Sequence, residues 1–158
     1  MNTAHAGRFE VGTLLYKFVG WACIVFFLGC SIGAFTAKQY GPISVFAFFV
    51  LLGSYVVVSA GSYTLDDANI IHRNILGTYR ISWTEVRQIE VGATDGAIVF
   101  HGEGKRFVLA SPMMWSGKQK PDAHALLTRK ISASGLTPYQ SNTAGYKIHK
   151  NVRVSHEA

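Results

Sequence analysis

Apolar and polar positions divide the chain into two regimes. Two long runs carry no charged residue, Phe18 to Ala37 over twenty positions and Ile43 to Tyr63 after it. Twenty helical residues rise about 30 Å, the thickness of a bilayer hydrocarbon core. A core helix in a chain this small would keep a polar face, so the pattern predicts two transmembrane helices, at about 16–37 and 43–61. A cleaved signal peptide competes for the first run. That run is longer than a signal's apolar stretch, a second follows at once, and AFTAKQ makes a poor cleavage site. The link KQYGP is short, which makes the pair an antiparallel hairpin with both chain ends on one side. Tyr16 and Trp21 at one end and Tyr40 at the other stand where interfacial aromatics belong.

From Ser62 the period changes to two. SYTL, IIHRNI, TYRISW, VRQIEV, AIVFH and KRFVLA read as short strands, with DDAN, LG, ATDG and GEG as turns. Tyr79, Ile81 and Trp83 share one face of the third strand, which predicts Trp83 as a core residue. Ile89 and Val91 point inward from the fourth. A helix follows within PDAHALLTRKISASG, where Ala123, Leu126, Leu127, Ile131 and Ser134 form one stripe, with Ser116 or Asp122 as its N-cap and Gly135 as its stop. The predicted fold class is therefore α+β. A membrane hairpin is followed by a small antiparallel barrel or half-barrel closed by a C-terminal helix. Residues 1–15 form an N-terminal segment poorly ordered at its start, 62–138 the soluble domain, and 139–158 a flexible basic tail dispensable for folding.

The order of elements, and the wording YTLDDANIIHRNILGTYRISWTEVRQIEV, resembles the bacterial pleckstrin-homology-like (PH-like) domain family, whose members often carry two N-terminal transmembrane helices. The matching residues are Tyr63, Leu65, Asp66, Ile70, Arg73, Ser82, Trp83 and Glu85, and KRFVLASPMMW fits the family's closing strand and loop. The resemblance covers about Tyr16 to Pro138. It implies a PH-like barrel acting as a scaffold or binding module without catalysis. It does not imply inositide recognition, because the basic first hairpin loop of lipid-reading PH domains is DDAN here, which is acidic.

Charge adds topology. Lys and Arg exceed Asp and Glu by six, but from Ser62 to Pro138 the balance is nine against seven. The excess lies beside the apolar runs and in the tail, which points to anionic lipid and membrane orientation rather than nucleic acid. Arg8, Lys17, Arg73 and Arg80 flank the hairpin's open end and Lys38 alone its tip. The positive-inside rule then places both termini and the domain in the cytoplasm, on the bacterial inner membrane that the resemblance implies.

The sequence carries few chemistry-bearing patterns. The six histidines lack metal-ligand spacing. His72 and His101 stand on strands close enough to approach each other, and strand histidines at ordinary surface or core positions outweigh a metal pair. Cys23 and Cys30 share a helix face at bilayer depth and read as small packing residues. GEGK at Gly102 to Lys105 is a hairpin turn, not a phosphate loop. No catalytic residue, cofactor, metal or small-molecule substrate is expected. Two surfaces stand out. Met113, Met114 and Trp115 beside Lys118 and Lys120 make an apolar wedge next to positive charge, suited to a partner or an anionic interface; alternatively Met114 and Trp115 plug the barrel mouth. Gly29, Gly33 and Ala37 form a small-residue stripe, serving packing against the second helix or docking of a partner helix. The expectation is a membrane-integral, non-enzymatic module engaging a protein partner or its own copy. An accessory subunit bound through the hairpin is the alternative, and a lipid-acting enzyme a more distant one.

Overall fold

The charge-free runs form α1 (Leu14–Thr36) and α2 (Gly41–Ser59) in the computed structural model, which describes residues 7–141 and 148–154. Only 6% of each apolar window is buried within the chain, the reverse of a soluble core helix. Two candidate membrane spans mark this as a membrane protein. The helices touch closely through Gly20 and Gly53, where a Cβ on either would stand 3.0 Å from the other's carbonyl oxygen. Phe27 stacks on Phe49 at 4.6 Å, and Cys23 Sγ donates to the Phe49 carbonyl at 3.4 Å. The stripe expected to serve this packing does not. A Cβ at Gly29 or Gly33 would meet nothing within 4 Å, and Ala37 is exposed.

The hairpin is built into the sheet. β1 (Phe9–Gly12) precedes α1, β2 (Ser62–Leu65) follows α2, and the two pair antiparallel with Gly12 opposite Ser62. Thr13 fixes the junction: its hydroxyl donates to the Gly61 carbonyl at 2.9 Å and accepts from the Gly61 N–H at 3.0 Å. The N-terminal segment is thus structural from Phe9 onward, with Val11 in the core; its first six residues lie outside the described ones. β3 (Asn69–Asn74) and β4 (Gly77–Ser82) complete a sheet ordered β1-β2-β3-β4. A second sheet, ordered β7-β6-β5-β8, contains β5 (Gln88–Gly92), β6 (Ile98–His101), β7 (Arg106–Leu109) and β8 (Tyr139–Ser141). Among the described residues these strands make two sheets and no closed barrel. α3 (Lys120–Ala133) lays Ala123, Leu126 and Leu127 over the core and packs against β1 and β2. Its N-cap position is Gln119, which makes no side-chain cap, rather than Ser116 or Asp122, while Gly135 beyond its end adopts φ +66°.

The segment after Pro138 departs most from expectation. β8 adds to β5 in parallel register, and the Tyr139 hydroxyl donates to buried Glu90 at 3.3 Å. Residues 148–154 then seam the sheets together. Lys150 exchanges two backbone hydrogen bonds with Arg106 of β7, and Arg80 of β4 donates to the Val152 carbonyl at 2.8 Å. Between them Asn151 takes φ +53°, a left-handed turn that lets both His149 and Val152 face inward. An alternating pattern would send one of them out, which is why the segment reads as a tail.

Candidate functional site

The loop picked out by sequence splits. Trp115 is 3% exposed within the core, and its Nε1–H donates to the Ala110 carbonyl at 2.9 Å. Trp115 is therefore a core residue and not a surface contact. Met114 is half-buried, Lys118 is exposed, and Lys120 Nζ donates to the Met113 carbonyl at 3.1 Å. Met113 alone projects, 83% exposed, from the short 3-10 turn Pro112–Met114. That turn abuts α1, because Ser116 accepts from the Gly12 N–H at 2.9 Å and, through its hydroxyl, from the Leu14 N–H at 3.2 Å.

Met113 has company at the same end of the domain. Asn74 Nδ2 donates to the Ser59 carbonyl at 3.1 Å, which holds the β3–β4 turn against the foot of α2. The turn's two tip residues are apolar and exposed, Ile75 at 75% and Leu76 at 44%. Ile148, Leu14 and Leu15 are exposed nearby along this hairpin-facing end. An apolar tip on a tight turn is costly in water and favourable in a bilayer interface. The sequence held this signal in plain view, in Ile75-Leu76 where a turn wants polar residues.

Behind that rim lies a cavity of about 290 Å³, framed by Tyr16 of α1, Tyr55 and Ser59 of α2, and both sheets. A ladder of rings forms its wall. Tyr63 stacks on His72 at 4.3 Å, His149 stacks on Tyr79 at 4.3 Å, and the two histidines join by a 2.8 Å hydrogen bond from ring to ring. His72 pairs with His149, then, and not with His101, which instead bonds the buried Glu90 at 2.8 Å.

Hydrogen-bond directions assign the protons. The Val108 N–H donates to His149 Nδ1 at 3.2 Å, so that nitrogen is an acceptor. Burial presses both imidazoles toward neutrality, His72 to about 4 and His149 to about 3, the latter aided by the neighbouring His72. A neutral His149 accepting at Nδ1 carries its proton on Nε2 and donates it to His72 Nδ1. His72 must then carry its own proton on Nε2. That atom is buried and has no hydrogen-bond partner among the described residues. A buried unpaired donor costs about 1–3 kcal/mol. Sequence reasoning missed the pair because His149 lies in the segment taken for a tail.

No family model, no curated protein and no solved structure matches this chain. The site rests on its own geometry.

Proposed function

We propose that this protein is a non-enzymatic, membrane-anchored PH-like binding or assembly module that engages a protein partner at a bacterial inner membrane, its domain on the cytoplasmic side. The observation that carries the reading is the junction: β1 and β2 enter and leave the hairpin while paired to each other, so hairpin and domain are joined through the sheet. Such a joint holds a binding surface close above the lipid. PH-like form is supported by two four-stranded sheets with a C-terminal helix, together with the family wording from Tyr63 to Glu85. The non-catalytic reading rests on the sequence, which offers no catalytic motif. The orientation rests on the basic residues at the hairpin's open end.

One observation favours the alternative, an accessory subunit held through its hairpin. The Gly29–Gly33–Ala37 face of α1 is left uncovered by α2, as a face for another helix would be. Affinity purification of the full chain in mild detergent distinguishes the two. On the module reading a stoichiometric partner survives Gly33→Leu and is lost with Met113→Asp combined with Lys118→Glu. Loss with Gly33→Leu alone transfers the binding to the hairpin. Absence of any stoichiometric partner from the unmutated chain overturns both.

A further inference from the structure

We infer that the hairpin-facing end of the β domain is a docking surface for the headgroups of anionic phospholipids. The Ile75–Leu76 turn is its apolar wedge, and Lys17, Arg73 and Arg153 are the cations behind it. The inference rests on the membrane spans and not on the partner proposed above.

The turn is built to leave water. Asn74 Oδ1 accepts from the Leu76 N–H at 2.9 Å and from the Gly77 N–H at 3.1 Å. Arg153 Nη2 donates to the Leu76 carbonyl at 2.9 Å. With these backbone groups paired, entering a bilayer interface costs the tip less. The bond from Asn74 to the Ser59 carbonyl holds the turn level with the foot of α2, so it meets the interface where the span ends.

Charge is arranged to match. Arg73 stands opposite Ser62, and Ser62 opposite Gly12, so its row is where both spans join the sheet. Gly61 packs against the Arg73 carbonyl with no room for a Cβ. Lys17 lies in the first turn of α1, where its N–H donates to the Thr13 carbonyl. The Arg153 guanidinium lies over Gly77, its Nε 3.1 Å from where a Cβ would stand. All three side chains are exposed, and no carboxylate pairs with any of them among the described residues. Within β1 to β4 the one carboxylate is Glu10, a row farther from the spans, opposite Thr64. At the far end of the domain the cations are engaged, Lys105 with Glu85, and Arg129 and Lys130 with Asp67. Unpaired cations beside an exposed apolar tip fit a surface of net negative charge with hydrocarbon beneath it. Lipid is favoured over a soluble acidic partner because the spans bring headgroups to this level in every copy of the chain.

The test pairs two lipids that differ only in the headgroup. Full-length protein in dodecyl maltoside is titrated with phosphatidylglycerol and with phosphatidylcholine of identical acyl chains, and retained lipid is counted by native mass spectrometry. Each basic side chain near a membrane surface is worth about fivefold in affinity, so phosphatidylglycerol should be retained at least about tenfold more tightly. The Arg73 side chain makes no hydrogen bond among the described residues, so Arg73→Gln should fold and lower that preference about fivefold. Lys17→Gln/Arg73→Gln/Arg153→Gln should abolish it. Ile75→Ser/Leu76→Ser should weaken retention of both lipids and keep the preference. For the unmutated chain the preference should fall toward parity in about 1 M KCl. Equal retention of the two lipids overturns the inference, as does a preference that survives the triple substitution or the salt. So does displacement of phosphatidylglycerol by millimolar glycerol phosphate, which would mark a site for free anions. A co-purifying protein released by the triple substitution, with lipid retention unchanged, would assign the surface to a partner and overturn it as well.

Discussion

Trp115 lies in the core, as the plug alternative had it, and Trp83 packs against that core from a half-buried position rather than inside it. Trp83 ends a strand of alternating polarity and is half-buried, with its indole donating to the Asp66 carbonyl at 2.9 Å and its ring edge-on to Phe100. Trp115, between two methionines and two lysines, is the deeper residue. Trp115→Ala should therefore cost about 3–5 kcal/mol, and Trp83→Ala clearly less, read by thermal or denaturant unfolding of the full chain in detergent. Equal costs would contradict the burial. A loop's composition says what its surface needs; it does not say which single ring turns inward. The histidines yield a second prediction at this scale. Both bind a proton less readily folded than unfolded, where the ordinary value is 6.5. Stability is thus complete above that value and falls as pH drops through it toward about 4, by up to about 1.4 kcal/mol per pH unit for each proton taken up on unfolding. The lowered carboxyl of Glu85, bonded to Lys105, adds a loss of the same sign at lower pH. His149→Phe should flatten the slope between pH 6.5 and 4; an unchanged slope would show that these rings do not govern it.

At the scale of elements, periodicity made most of the fold legible. The two spans, the six strands from SYTL to KRFVLA and the C-terminal helix all appear within a few residues of their expected places, because each buries one face and shows the matching period. What the pattern concealed has a physical reason in each case. β1 is four residues long and gains its partner only across the hairpin, from a strand fifty residues away in sequence. The segment 148–154 changes partner sheet at Asn151, so its inward residues do not alternate. Truncation at Tyr139 should accordingly remove or sharply lower the thermal transition, and a truncated protein that melts unchanged would return these residues to a dispensable tail. Within the hairpin, helix contact lies at Gly20 and Gly53 rather than in the Gly-x-x-x-Gly stripe. Gly53→Leu should splay the helices and destabilise the protein in detergent, while Gly29→Leu leaves the monomer's stability unchanged.

Over the whole molecule, both strand–helix junctions, the Ile75–Leu76 turn, Met113 and the histidine cavity gather at one end of the β domain. The turns around Asp66, Glu85 and Glu103 stand at the other, where Gly102 lies against the Glu85 carbonyl. This arrangement puts the first end in the bilayer interface and the second in water. Spin labels at Ile75→Cys and Glu103→Cys, in a Cys23→Ser/Cys30→Ser background, test it most directly when the protein is reconstituted in vesicles and relaxation by oxygen is compared with relaxation by a water-soluble nickel chelate. The account predicts an oxygen-accessible, nickel-shielded label at position 75 and a nickel-accessible one at 103. Equal nickel accessibility at both positions would place the turn in water and contradict it.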